Sequence, residues 1–150
     1  RGDAVAAVIF HREKKKLLLC EQFRFPTYGS GNGWLCELVA GMLAKDEDPK
    51  LGIQRELLEE IGYQVDQLEL ISYFYPAPGG VDERIFLFYG EVDELHRIHE
   101  GGGLDHEHED IRLVELDPQA IMSKMMNQEI VDAKTLVGLL WFLQEKYHEI

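Results

Sequence analysis

The chain has 150 residues, enough for one compact domain with a sizeable buried core, and 45% hydrophobic and 10% aromatic content are ordinary globular values, so disorder is not the default reading. Its 28 acidic against 15 basic residues give a formal charge of -13, which repels nucleic acid and anionic membrane, since both partners need a positive footprint. A small phosphorylated molecule stays open, provided that something positive, such as a divalent cation, mediates the contact.

No apolar stretch reaches the length of a membrane span, and no charged n-region followed by an apolar h-region is visible. Cys20 and Cys36 form no CxxC pair and lie in separate apolar runs, which reads as two buried thiols of a reducing compartment. A cytoplasmic protein is the default expectation.

In chain order, residues 4–10 form an apolar run rich in Ala and Val, a buried strand by composition. Residues 11–16 read as a charged turn, 17–25 as a second strand, and 28–33 as a glycine-rich loop. Residues 34–40 read as a third strand ending at Gly41. A helix follows, with Asp48 as N-cap, Pro49 in the first helical position and Gly62 as the stop. Ile53, Leu57 and Ile61 recur every four residues and share its buried face.

Residues 65–75 and 84–92 read as strands separated by a Pro/Gly turn at 76–80. Residues 93–110 read as a long acidic surface loop, and loops of that length are often functional. A short strand at 111–116 precedes a helix started by Asp117 and Pro118. Asp132 caps a last helix with Leu136, Leu139, Leu140 and Leu143 on its apolar side. The alternation of elements predicts an α/β (α+β) fold, a mixed β-sheet sandwiched between helices, in a single domain over 1–150.

The strongest chemical feature is Arg55-Glu56-Leu57-Leu58-Glu59-Glu60. Glu56, Glu59 and Glu60 stand at i, i+3 and i+4, so three carboxylates share one flank of a helix. Alone, this is a solvated acidic face. Together with the preceding residues it spells Gly41-x5-Glu47-x7-Arg55-Glu56-Leu57-x-Glu59-Glu60-x-Gly62-Tyr63, which resembles the Nudix box at every charged and glycine position. Tyr63 departs from the usual aliphatic last residue. Hard carboxylate oxygens suit Mg²⁺ or Mn²⁺, which share phosphate oxygens with a substrate, and Arg55 is placed to pair with an acid such as Glu47.

The resemblance extends to Glu21-Gln-Phe-Arg24, Glu37-Leu-Val-Ala-Gly-Met42, Tyr75-Pro-Ala-Pro-Gly-Gly-Val-Asp-Glu-Arg84 and Asp132-Ala-Lys-Thr-Leu136. These look like the ADP-ribose pyrophosphatase branch, whose relatives also include GDP-mannose and UDP-sugar hydrolases. The branch implies the Nudix fold and a metal site from the Ala40 carbonyl, Glu56 and Glu60, with Glu59 peripheral. It places the catalytic base at Glu107 and a further metal-holding acid at Glu109, both in the late loop. Arg24, Met42 and Glu83 match substrate-contacting positions. Core packing competes for Met42, and a solvated surface role competes for Arg24, Glu83 and the loop acids. His96, His99, His106 and His108 would be candidates for a transition-metal site, but their irregular spacing in a loop rich in glycine and acid argues against one.

The resemblance implies Mg²⁺-dependent hydrolysis of ADP-ribose to AMP and ribose 5-phosphate, with Mn²⁺ as an alternative cation and a GDP- or UDP-sugar as alternative substrate. A non-catalytic nucleotide sensor is the competing class; it is expected to have lost box glutamates, and none is lost here. A scaffold that uses its acidic surface leaves the glycine and arginine spacing unexplained. A homodimer is also implied. Members of the branch carry a segment ahead of the first strand that exchanges between protomers and helps hold the base. This sequence starts at Arg1, just before the first strand, so either the segment is absent or the chain is a fragment, which leaves base recognition and the dimer open.

Overall fold

The computed structural model describes residues 2–107 and 109–150, and His108 therefore lies outside the described residues. The molecule is organised around β1 (Ala4–His11), every residue of which is buried. Side chains alternate across a strand. Ala4, Ala6, Val8 and Phe10 pack toward Leu139 and Phe142 of the last helix, α3 (Ala133–Glu145). Val5, Ala7 and Ile9 pack toward Ile53, Leu57 and Ile61 of α1 (Pro49–Ile61). A strand covered on both faces has no polar side, and this is why residues 4–10 read as one unbroken apolar run.

Among the described residues seven strands form one mixed sheet. β2 (Lys16–Tyr28), β3 (Asn32–Glu37), β5 (Glu69–Phe74) and β6 (Ile85–Val92) flank β1 in the order β3-β2-β1-β6-β5. β1 runs parallel to β6 along its whole length. On its other edge β1 changes partner: Ile9–His11 pair with β2, whereas Ala4–Ala7 pair with β4 (Val39–Met42). β2 thus peels away from β1 and takes β3 and β7 (Arg112–Leu116) as its antiparallel neighbours. The space opened by that change of partners is bordered by β2, β4 and the start of β1.

Several boundaries differ from the sequence reading. β2 continues through Pro26 to Tyr28, and its distal half, with Phe25 and Tyr28, is exposed. The predicted third strand is two, β3 and β4, broken at Leu38, whose N–H leaves the ladder and donates to Thr135 Oγ1 at 3.0 Å. The strand predicted from residue 65 begins only at Glu69. The 93–110 loop contains 3-10 turns at Glu94–His96 and Asp105–Glu107. Asp117 and Pro118 start a 3-10 turn, and the α-helix behind it is Ile121–Met126 (α2). On α3, Leu140 is exposed, and Phe142 takes the core position beside Leu139. Cys20 is buried, Cys36 is half-buried, and both are free thiols.

Tyr63 is fully buried, edge-on to the His11 ring with centroids 6.1 Å apart. Its hydroxyl is buried with no hydrogen-bond partner among the described residues. Among the same residues no helix is long and apolar enough to cross a membrane.

Candidate active site

Helix α1 is held in register at both ends. Asp48 Oδ1 accepts from the N–H groups of Lys50 (2.9 Å) and Leu51 (3.2 Å), and Pro49 stands where a helix has no donor to lose. Gly62 stops it in the left-handed conformation, φ 76°, where glycine carries no steric penalty. With Ile53, Leu57 and Ile61 fixed against the sheet, Glu56 and Glu60 turn toward β4. Both are buried, at 7% and 3% exposure. Glu59, on the same flank by spacing, is half-buried and does not line the cavity; its Oε2 is 3.4 Å from Arg55 Nη1.

Arg55 joins the parts of the box. Nε and Nη2 donate to Glu47 Oε1 and Oε2 at 3.1 and 3.3 Å, Nη1 donates to Glu56 Oε1 at 2.8 Å, and Nη2 also reaches the Met42 carbonyl at 3.2 Å. Glu47 Oε2 further accepts from the Ala44 N–H at 2.8 Å. The Arg55 guanidinium, followed by that amide, holds the Glu47 carboxyl below its usual range.

Glu56 and Glu60 behave in the opposite way. Burial raises the Glu56 carboxyl to about 7; the charge of Arg55 opposes this, and Glu59 and Glu109 reinforce it. Burial, then the charges of Glu56 and Glu109, raises Glu60 to about 8 against the pull of the Ala40 backbone amide and the Cys20 thiol. Cys20 Sγ lies 3.6 Å from Glu60 Oε2. Desolvation and like charge dominate here.

Glu56 and Glu60 line a cavity of about 570 Å³ in the space where β2 leaves β1. Ala40, Gly41, Met42, Glu83, Glu107 and Glu109 line it as well, so the structure brings most of the predicted site residues to one cavity. Met42 lines this cavity and also packs against the core. Arg24 lines the cavity with its fork already engaged: Nε and Nη2 donate to Glu37 Oε2 and Oε1 at 2.7 and 3.1 Å.

The sequence reading assigned no role to Glu37 or Lys134. Glu37 is 2% exposed and receives Lys134 Nζ at 2.5 Å as well as Arg24. Lys134 Nζ also donates to Asp132 Oδ2 at 3.0 Å, and Asp132 caps α3 through the Thr135 N–H. Arg24 and Lys134 thus bring two cations to the lining of the cavity that Glu56 and Glu60 also line. The available signal was a glutamate inside an otherwise apolar strand, because a buried carboxylate needs a partner.

The late loop is seated on the end of α1. Gly102 and Gly103 donate their N–H groups to the carbonyls of Glu60 (2.8 Å) and Glu59 (3.0 Å). Glu109 Oε2 accepts from the Leu104 N–H at 3.0 Å. Of the histidines, His96 Nδ1 accepts from the Asp93 N–H and His99 Nδ1 from the Gly101 N–H, so each closes its own turn. His106 is exposed. Among the described residues no three His, Cys, Asp or Glu side chains are gathered closely enough to hold a metal ion by themselves.

The family model for the NUDIX domain matches residues 1–134. The chain is 41% identical over 146 residues to a GDP-mannose pyrophosphatase of Cronobacter sakazakii, covering 96% of this chain and 74% of that one. It is 40% identical over 141 residues to a GDP-mannose pyrophosphatase of Pectobacterium atrosepticum, covering 93% and 72%. A solved structure described as an ADP compounds hydrolase superposes with a TM-score of 0.76 over 96% of this chain and 74% of that chain, at 18% identity, a likeness of fold alone.

Proposed function

The chain belongs to the NUDIX family and is a hydrolase, and on that premise we propose that it cuts the diphosphate of a nucleoside-diphosphate sugar, with GDP-mannose the preferred substrate. The products are then GMP and mannose 1-phosphate. The observation that carries this reading is that buried Glu56 and Glu60 and the cations Arg24 and Lys134 line one cavity of about 570 Å³. The named relatives favour GDP-mannose over the ADP-ribose expected from the Pro/Gly element. ADP-ribose stands as the second reading, on that element alone.

Nudix hydrolases generally use divalent cations, and the residues here fit one. Two buried carboxylates raised toward neutrality, next to the Ala40 backbone, make a hard oxygen donor set suited to Mg²⁺ or Mn²⁺. Water and phosphate oxygens complete the shell of such an ion. When bound, it withdraws charge from the diphosphate and acidifies the attacking water. Glu56 and Glu60 are the residues we assign to hold it, with Glu109 of the same lining joining through water and Glu59 supporting through Arg55.

The remaining work falls to the protein's own groups. Arg24 and Lys134 neutralise substrate phosphate oxygens, with Glu37 holding both cations at the cavity wall. Glu107 takes the proton from water as its oxygen bonds to phosphorus, and the bridging P–O bond breaks in line. Met42 packs against the substrate and Glu83 takes sugar hydroxyls. Gly41, Glu47, Arg55 and Gly62 keep the helix and its carboxylates in place.

Cys20 and Cys36 as free thiols support a cytoplasmic, reducing setting. The exposed Phe25 and Tyr28 on the distal half of β2 support a homodimer, because aromatic patches of this kind mark contact surfaces. Light scattering on the purified chain checks the dimer.

The test of function is a panel of GDP-mannose, ADP-ribose, UDP-glucose, dinucleotides and nucleoside triphosphates with Mg²⁺. The highest kcat/KM is expected for GDP-mannose. Preference for a triphosphate would overturn the assignment, and preference for ADP-ribose would promote the second reading.

A further inference from the structure

The glutamate helix and the late acidic loop meet at one seam. The amides of Gly102 and Gly103 bond the carbonyls of Glu60 and Glu59 at 2.8 and 3.0 Å, and these belong to the last turn of α1, whose carbonyls the helix itself leaves over. The Ile111 N–H returns to the Gly102 carbonyl at 3.4 Å, so the loop between them closes at a neck that rests on the helix end. Beyond the neck Glu109 folds back, and its Oε2 accepts from the Leu104 N–H at 3.0 Å.

Gly101, Gly102 and Gly103 all take positive φ, at 78°, 105° and 88°, a conformation that L side chains rarely adopt. Space separates the three. A Cβ on Gly101 would stand 2.4 Å from the Glu60 carbonyl oxygen. On Gly102 it would meet nothing closer than the Ile111 carbonyl oxygen at 3.9 Å. On Gly103 it would stand 2.5 Å from Glu109 Oε2 and 2.7 Å from Glu109 Cβ. Gly103 therefore has two reasons to be glycine, and the second concerns one carboxylate.

We infer that Gly103 is a positioning residue for the hydrolysis: its bare Cα lets the Glu109 carboxylate fold onto the Leu104 amide and face Glu56 and Glu60 at a distance set by the helix end. This rests on the proposed role of Glu109 in holding the cation. A glycine needed only for its backbone conformation would give a different result, and Gly102 supplies that comparison, since a methyl there costs the same kind of strain and touches no carboxylate.

The test compares Gly103→Ala, Gly102→Ala and Glu109→Gln in the full chain. Mn²⁺ binding to the substrate-free protein is measured by calorimetry, beside kcat and KM for GDP-mannose. The two alanine variants are expected to lose similar Tm. Only Gly103→Ala weakens Mn²⁺ binding and kcat, each about tenfold or more, the range found when groups that orient metal ligands are removed, with KM little changed. If Gly103→Ala does not fold, an ester in place of the Leu104 N–H deletes the bond to Glu109 without adding an atom, and the same loss of Mn²⁺ affinity is expected. Equal losses in both alanine variants, with Glu109→Gln impaired, overturn the inference and leave the role of Glu109 standing. A Glu109→Gln variant that binds Mn²⁺ and turns over like wild type overturns both.

Discussion

A Cβ on Gly41 would stand 2.1 Å from both Cδ and Oε1 of Glu56, so a side chain there is accommodated only by moving that carboxylate. The β4 backbone is thus the wall against which the carboxylate is set, and the glycine leaves the carboxylate its place there. Gly41→Ala is expected to push Glu56 out of place and lower cation affinity and kcat about tenfold or more, as loss of a ligand-orienting contact does. Calorimetric titration with Mn²⁺ checks it. An alanine variant with wild-type affinity would mean that Glu56 is not used where it lies.

Glu60→Gln keeps the shape of the side chain and removes its charge. Turnover with Mg²⁺ is expected to fall about a hundredfold or more, since a charged ligand of the cation is lost. The fold stays intact in circular dichroism. Its Tm without cation at pH 8 should equal or exceed that of wild type, because burial and neighbouring acids raise the Glu60 carboxyl to about 8. A large fall in that Tm would contradict the origin assigned to the shift.

The same two carboxyls set a pH dependence. Glu56 and Glu60 move up in the folded protein, from 4.5 to about 7 and about 8, so the folded state binds more protons than the unfolded chain in between. Their contribution to stability is complete below 4.5 and is lost as pH rises through 7 and 8. Cation-free Tm should therefore fall from pH 5 to pH 8 on account of this pair, and saturating Mg²⁺ should remove the fall. Asp3, Glu47, Asp93 and Asp117 are lowered instead, and they act below this window. A cation-free Tm that rises between pH 5 and 8 would refute the assignment.

Glu37 is buried with Arg24 and Lys134 both donating to it. Glu37→Ala removes the shared acceptor of two cations. Arg24, 41% exposed, returns to water, while Lys134 keeps only Asp132, so a loss of about 1–3 kcal/mol is expected, the cost of a buried donor left short of a partner. Urea unfolding measures it. Arg24→Lys is expected to raise KM for GDP-mannose while leaving the fold stable, because a point charge cannot reproduce a two-pronged grip. A Glu37→Ala protein as stable as wild type would show that Asp132 alone suffices for Lys134.

The amino-acid sequence by itself determined the helix and its chemistry. Asp48, Pro49 and Gly62 act on backbone groups within a few residues, and the recurrence of Ile53, Leu57 and Ile61 selects the buried face, so α1 and the box were legible from local rules. Spacing alone also placed Glu56, Glu59 and Glu60 on a shared flank, but it has no means to say which of them β4 covers. Only the tertiary structure decided that Glu56 and Glu60 are buried beneath that strand while Glu59 stays with Arg55. It also decided how the two cations are held, because Lys134 and Glu37 are 97 positions apart and meet only when α3 docks on the break between β3 and β4. Hydrogen bonds within a turn follow from neighbours along the chain. Contacts between a strand end, a helix start and a late loop follow from sheet register and packing, which no local window contains.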